Sequence, residues 1–163
     1  MIILIIFRKK SPAVELNPKN INLFLFFKLP SAFLCGVRAR QVDRWACVVT
    51  VRHRWINQNP FKSMYFAVQA MAAELSTGVL VMREIKNCGK DISMLVTGGK
   101  SVFHKKATGK ITFTCRDGQI VSDMVSSAIL SSEKQVMVLK SVGTDESGDQ
   151  VCEMEFEWNI KMR

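Results

Sequence analysis

The sequence predicts an α+β fold in which a curved, mainly antiparallel sheet wraps around one long central helix. Residues 63–86 are rich in helix-forming residues and apolar on nearly every side of the resulting helix, so this helix needs cover from several directions. Short β-type segments separated by turn residues precede and follow it, which is the element order of an α+β domain. One flat sheet cannot cover such a helix. We therefore expect the sheet to curl around it or a second subunit to cover the remaining face.

Turn residues and hydrophobic periodicity predict the other elements. Ser63 is expected to cap the start of the central helix, and Gly89 to end it. Gly98 and Gly99 are expected to form a turn between two strands. A short helical segment is expected at 120–131. The predicted strands cover residues 33–42, 45–55, 92–97, 101–105, 110–116, 136–142 and 150–161.

Length and composition fit one globular domain preceded by an extension. The chain has 163 residues, of which 48% are hydrophobic and 23% charged. This balance excludes wholesale disorder, a collagen-like repeat and a polytopic membrane protein. We expect a single domain over residues 33–163 and a basic, apolar extension over residues 1–32. The sequence leaves open whether the extension is a packed helix, a membrane-associating segment, an organelle-targeting peptide or the product of a misassigned start codon.

The excess of positive over negative charge lies entirely in the N-terminal part of the chain. The net charge is +9, and residues 1–62 carry eleven basic and two acidic side chains, whereas the rest is balanced. Such a segment can bind nucleic acid, an anionic membrane or an acidic ligand, act as an import signal, or be a solvated face. We expect neither nucleic acid nor a membrane as the partner.

Cysteine and histidine usage indicates the compartment and argues against a metal site. The five cysteines are an odd number without a CxxC pair, and the two histidines are far apart in sequence. This pattern does not fit a disulfide framework or a zinc site. We therefore expect no metal and no cofactor, and an intracellular protein of the cytoplasm or the mitochondria.

Glu74 is the residue that bears most directly on function, because it lies within the predicted buried helix. A carboxylate there must be paired, hydrogen-bonded, protonated or facing a cleft. One alternative is a structural carboxylate satisfied by a backbone N–H or an arginine. The other is a reactive group. The first-turn amides around Tyr65, Phe66 and Ala67 form a potential oxyanion site, and Glu74 of a neighbouring subunit can then act on a bound carbonyl carbon. Gln69 is expected to be a buried hydrogen-bonding group.

The spacing of Asn59, Tyr65 and Glu74 resembles that of hotdog-fold thioesterases of the phenylacetyl-CoA thioesterase type. Those enzymes carry an Asn, a His-Gly-Gly beginning six residues later, and an acid nine residues after the His. The run around these residues is closer still to an offshoot of the superfamily catalogued as a thioesterase-like domain of unknown function. Residues 103–109 and 155–161 are similar to strand motifs of that branch. The resemblance covers about residues 33–161.

The resemblance implies a hotdog fold and a homodimer or dimer of dimers that hydrolyses acyl-CoA or a related acyl thioester between subunits. Glu74 would be the nucleophile or general base, and Asn59 a polarising or water-orienting group. Tyr65 and Phe66 would supply oxyanion amides, with Ala67 among the substrate-contacting residues. Tyr65 replaces the family histidine, and Phe66-Ala67 replaces Gly-Gly. The alternative is a non-catalytic acyl- or lipid-binding hotdog protein that kept the fold and lost the histidine.

Five further residues are candidate substrate contacts under the same resemblance. Met71 and Leu75 would either pack in the core or line an acyl tunnel, since methionine adapts to irregular cavities. His104, Lys105 and Lys106 belong to a basic cluster. That cluster is either a solvated strand edge or a site that attracts the phosphates of coenzyme A.

Overall fold

Six antiparallel strands form one curved sheet around a long central helix. The structure is a computed structural model that describes residues 16–163. The strands lie in the order β1-β2-β4-β5-β6-β3, and every neighbouring pair is antiparallel. The predicted α+β class and the wrapped central helix are therefore confirmed. The elements are α1 (Pro18–Lys28), α2 (Pro30–Leu34), β1 (Arg38–Val42), β2 (Cys47–Arg52), α3 (Phe66–Cys88), β3 (Ile92–Phe103), β4 (Lys110–Cys115), α4 (Gly118–Ser131), β5 (Gln135–Thr144) and β6 (Gln150–Met162).

The central helix α3 begins and ends two to three residues later than the sequence predicts. The prediction that Ser63 caps the helix is wrong. Tyr65 is the N-cap residue and makes no side-chain cap hydrogen bond, while Ser63 bonds to Asn59 instead. The prediction that Gly89 ends the helix is confirmed. Gly89 adopts the left-handed conformation with φ of 67°, and its N–H donates to the carbonyl of Lys86.

Two buried hydrogen bonds fix α3 against the sheet. The Ser76 and Ser141 hydroxyl oxygens lie 2.8 Å apart and join α3 to β5. The indole Nε1 of Trp158 on β6 donates to Thr77 Oγ1 over 3.0 Å. All four residues are buried. Because unpaired polar groups are costly in such surroundings, these bonds specify one position of the helix on the sheet.

Strand β3 differs from its prediction. Gly98 and Gly99 do not form a turn but lie inside one strand of 12 residues, with a β-bulge between Val96 and Gly98. The strand continues past the glycines because β6 supplies pairing partners along its whole length. Glycine within a strand commonly marks such a bulge. β3 is also an edge strand of the sheet.

The N-terminal part of the chain packs on the domain as far as it is described. The predicted strand at 33–42 is shorter, because α2 occupies its first residues and β1 begins only at Arg38. Ile21 and Leu25 of α1 belong to the same hydrophobic core as the sheet and α3. The apolar start at residues 1–7 lies outside the described residues. Among residues 16–163, no helix is both long and apolar enough to cross a bilayer.

The hydrogen bond between Trp158 and Thr77 generates a prediction for stability. Thr77→Val keeps the shape of the side chain but leaves the buried indole N–H without its acceptor, so the free energy of unfolding should fall by about 1–3 kcal/mol. Urea denaturation measures this loss. Thr108→Val is the matched control, because Thr108 is exposed and its replacement should change stability by no more than about 0.5 kcal/mol. Equal effects of the two substitutions would contradict this role of Thr77.

Candidate active site

A network centred on Asn57 shapes the loop between β2 and α3. The Asn57 side chain is buried. Its Nδ2 donates to the carbonyls of Cys35 and Arg52, and its Oδ1 accepts from the Arg54 amide. Its own carbonyl accepts from the amide of Tyr65. Asn57 therefore holds the start of α3 in place. Sequence reasoning missed this residue, because its partners become visible only in the folded chain.

Asn59 closes the turn that leads into α3. Its Oδ1 accepts from the amides of Phe61 and Ser63, and its Nδ2 donates to Ser63 Oγ over 3.0 Å. A longer contact of 3.5 Å joins Nδ2 to the Met64 carbonyl. Since both ends of the side chain are engaged within its own loop, Asn59 positions the helix start in this chain.

The first turn of α3 exposes two amides. The amide of Tyr65 is not one of them, because it donates to the Asn57 carbonyl over 2.8 Å. The expectation that Tyr65 supplies an oxyanion amide is therefore wrong for this chain. The Phe66 and Ala67 amides have no acceptor among the described residues. Such N–H groups lie at the positive end of the helix and can stabilise a developing negative charge.

Glu74 is the ninth of the 23 residues of α3 and has no compensating partner within residues 16–163. It makes no ion pair within the described chain, and its Oε1 is buried without a hydrogen-bond partner. Burial raises the pKa of this carboxyl above the ordinary glutamate value. A structural carboxylate held by a backbone N–H or an arginine, the first alternative above, would have such a partner for this oxygen. The geometry favours a carboxylate that faces a cleft.

An apolar cavity adjoins Glu74. Its volume is about 40 Å³, several times the roughly 10–15 Å³ that a single water requires on a comparable measure. Met71 and Leu75 line it together with Glu74, and the other walls come from α1, α2, β3 and β6. The candidate acyl-tunnel residues and the candidate base therefore meet in one cavity.

The free amides and Glu74 form two separate halves of a site. Glu74 lies eight residues beyond Phe66 on one continuous helix, and a rise of 1.5 Å per residue separates them by about 12 Å. A carbonyl bound at the Phe66 amide is thus out of reach of Glu74 in the same chain. A site that uses both groups requires two chains.

The basic segment, residues 104–107, adjoins the half of the site that contains the Phe66 and Ala67 amides. The Met64 amide donates to the Ala107 carbonyl over 2.8 Å, which brings the segment 104–107 next to the start of α3. The contact itself is made by Ala107, whereas the His104 and Lys105 amides donate to the Val151 carbonyl. Glu74 lies farther along α3.

Within this segment, the lysines differ in their partners. Lys105 Nζ lies 2.6 Å from Asp145 and 2.7 Å from Asp149, and hydrogen bonds to these carboxylates raise the pKa of Lys105 to about 12. Because two acids already compensate its charge, Lys105 is poorly suited to attract a phosphate. Lys106 is exposed and makes no ion pair within the described residues.

Gln69 is buried near the helix start, as predicted, but only half of its amide is bonded. Its Nε2 donates to the Met64 carbonyl over 3.1 Å, and its Oε1 has no partner among the described residues. No group of three or more His, Cys, Asp or Glu side chains within residues 16–163 is arranged to hold a metal ion.

Solved structures with the same architecture include several thioesterases. A protein from Pseudomonas aeruginosa described as a probable thioesterase has a TM-score of 0.76 and 21% identity, covering 90% of this chain and 97% of its own. A provisionally described thioesterase from Shewanella oneidensis has a TM-score of 0.75 and 10% identity, and the match covers 90% of this chain and 97% of that protein. A thioesterase from Haemophilus influenzae has a TM-score of 0.68 and 11% identity, and the match covers 91% of this chain and 92% of that protein. The chain thus has the fold of hotdog thioesterases.

The sequence profile of one family covers most of the chain. It matches residues 19–160 and is described as DUF4442, a domain of unknown function. The chain belongs to this family. The resemblance to a thioesterase-like branch of unknown function is thereby confirmed. No protein of curated function matches the sequence.

Glu74 generates a prediction for the pH dependence of stability. Because its folded-state pKa is raised, the folded chain holds this proton more tightly than the unfolded chain, whose glutamate pKa is about 4.3. At low pH this tighter proton binding adds to the free energy of unfolding. The added stability is lost as the pH rises from the unfolded-state pKa through the folded-state pKa. Glu74→Gln removes the loss, so the stability of the variant relative to wild type should increase as the pH rises above about 4.3, until the folded-state carboxyl is fully ionised.

Urea denaturation at several pH values tests this expectation. Glu133→Gln is the matched control, because Glu133 is exposed and its replacement should shift stability equally at every pH. If the difference between Glu74→Gln and wild type is also constant with pH, the Glu74 carboxyl is not held in a charge-disfavouring site.

Proposed function

We propose that the protein hydrolyses acyl thioesters, with acyl-CoA as the substrate class, at a site shared between two subunits. Glu74 is the general base or nucleophile, and the partner's Phe66 and Ala67 amides bind the carbonyl oxygen. The observation that carries this proposal is the buried Glu74 Oε1, which adjoins a cavity and has no hydrogen-bond partner in the part of the chain that the structure describes. The thioesterases that share the fold support the same reaction class.

The reaction needs few groups in addition to these. Glu74 removes a proton from a water molecule while the oxygen of that water bonds to the carbonyl carbon, and the two amides stabilise the resulting oxyanion. The C–S bond then breaks, the thiolate leaves and takes up the proton that Glu74 removed from water, and a carboxylic acid remains. Since a thiolate is a good leaving group, no second acid such as the family histidine is required. Burial also raises the pKa of Glu74, which makes it a stronger base than an exposed glutamate.

Two surfaces support a dimer. β3 is an open edge strand of 12 residues, and unpaired strand edges readily pair with a second chain. Around the helix start, Phe61, Tyr65 and Phe66 are exposed to solvent. Exposed aromatic side chains grouped in this way are typical of interfaces. A homodimer, or a dimer of such dimers, would cover these residues and bring the two half-sites together.

The second candidate is a non-catalytic acyl- or lipid-binding hotdog protein. The observation that favours it is the engagement of Asn59, which leaves the family's polarising side chain committed to its own loop. Saturable binding of an acyl-CoA without release of thiol would support this candidate over hydrolysis.

Replacement of the candidate base tests the proposed reaction. Glu74→Gln should lower kcat/KM for acyl-CoA hydrolysis by about 100- to 10,000-fold, the usual contribution of a general base. Thiol release from a panel of acyl-CoAs measures the rate, and Glu133→Gln should retain wild-type activity. Wild-type turnover no faster than that of Glu74→Gln would exclude this role for the carboxylate.

Removal of one amide tests the oxyanion site. Phe66→Pro deletes only the N–H from the backbone, because proline fits the first helical position and the extended Tyr65 (φ −62°, ψ 137°) tolerates a following proline. We expect kcat to fall by about 100-fold or more, as for other lost oxyanion donors. Phe66→Ala removes the ring but keeps the amide, so it should retain most of the activity. Equal losses in both variants would assign the effect to the ring.

A mixed dimer tests whether the site is shared. When Glu74→Gln and Phe66→Pro subunits combine, one composite site keeps both groups and the other loses both. Random pairing should therefore restore about a quarter of wild-type activity, since half of the dimers are mixed and half of their sites are intact. Subunits with both substitutions, mixed with Glu74→Gln subunits, should restore none. If mixed dimers are isolated and remain inactive, the site lies within one chain.

A further inference from the structure

The helices α1 and α2 form one wall of the cavity beside Glu74. Phe24 and Leu29 contribute from α1 and the junction that follows it, and Ser31 and Ala32 contribute from α2. This wall is anchored, because Leu25 is fully buried in the domain core. The segment 18–34 thus roofs the region directly beside the candidate base.

The opposite wall follows one face of α3 away from the free amides. Glu74, Gly78 and Met82 succeed one another at intervals of four residues and all line the cavity, which places them along one side of the helix. Trp158 closes this wall from β6. A Cβ on Gly78 would lie 3.0 Å from the Trp158 ring, and the hydrogen bond to Thr77 fixes that ring.

The chemistry of the lining indicates what the cavity can hold. Among residues 16–163, Glu74 is the only charged residue that lines it, and the other walls are almost wholly apolar. An apolar, narrow cavity that follows a helix from Met71 past a carboxylate to Met82 suits an aliphatic chain whose polar end stays at the carboxylate. Met71 and Met82 supply flexible side chains that can make room for such a chain.

We propose that the segment 18–34 is the specificity wall of an acyl pocket, so that the packing of α1 and α2 on α3 sets the length of aliphatic acyl chain that fits. This inference rests on the proposed thioester hydrolysis for its substrate class. The reacting carbonyl lies at Glu74, and the alkyl chain runs beneath Leu29 and Ser31 toward Met82. The N-terminal helices are therefore part of the functional unit of this protein.

Substitutions on the two sides of the N-terminal helices test the proposal. Leu29→Ala enlarges the pocket, whereas Leu23→Ala is the matched control because Leu23 is 58% exposed and lies outside the cavity. Ser31→Leu narrows the pocket from an exposed position that should tolerate the change. Binding of S-alkyl-CoA thioethers of increasing chain length is measured by calorimetry, and kcat/KM is measured for acyl-CoAs of the same lengths.

We expect Leu29→Ala to shift the ratio of long-chain to short-chain affinity by about tenfold toward long chains, the usual effect of one or two methylenes in an apolar pocket. Ser31→Leu should shift the ratio the other way, and Leu23→Ala should leave it unchanged. If no thioether binds, or if neither cavity variant moves the ratio, the pocket assignment is overturned. An equal shift in Leu23→Ala would overturn it as well.

The two readouts separate this inference from the proposed reaction. If the thioether affinities shift as expected but no thioester is hydrolysed, the acyl-pocket proposal is supported and the proposed hydrolase function is wrong. If hydrolysis depends on Glu74 but the preference for chain length is the same in all variants, the proposed reaction is supported and the proposed role of segment 18–34 is wrong. Because Ser31→Leu alters an exposed position, the test does not depend on whether Leu29→Ala folds.

Discussion

The enclosure of α3 by the sheet is the constraint on which the rest of the structure depends. A helix of 23 residues with buried side chains on several faces has to be surrounded, and the curved sheet, α1, α2 and α4 share that task. Buried contacts through Ser76 and Thr77 then fix its rotation and its position along the sheet. Once both are fixed, the direction in which every other side chain of α3 points is determined as well.

Glu74 illustrates the consequence of this constraint. Its place on the helix carries it into an apolar region where residues 16–163 provide no ion-pair partner and no donor for its buried oxygen. Partial burial without a partner disfavours the charged form, so the carboxylate opposes folding at neutral pH. Residues that oppose stability in this way are concentrated at sites of chemistry, where the same environment strengthens a base. The chain thus tolerates an electrostatic cost at the position where a reactive group would be useful.

The helix start is organised differently, by satisfied rather than unsatisfied polar groups. Asn57 and Asn59 use their side chains to fix the loop before α3, and this rigidity leaves the Phe66 and Ala67 amides pointing out of the helix end. Backbone donors do not depend on the side chains that carry them. Replacement of the family's Gly-Gly by Phe66-Ala67 therefore keeps the hydrogen-bond donors while it adds an aromatic ring at the mouth of this half-site.

The sequence alone determined the features that local patterns encode: the class of fold, the central helix to within three residues, its glycine end, and an embedded acid in Glu74. Tertiary structure alone decided what that acid and the surrounding groups contact. The single long strand β3 depends on pairing with residues of β6 that lie 49 to 70 positions later in the chain, and the cavity depends on Leu29 packing over α3. Helical period and capping act over a few residues, so they can be read locally. Hydrogen-bond partners and cavity walls come from distant parts of the chain, and only folding brings them together.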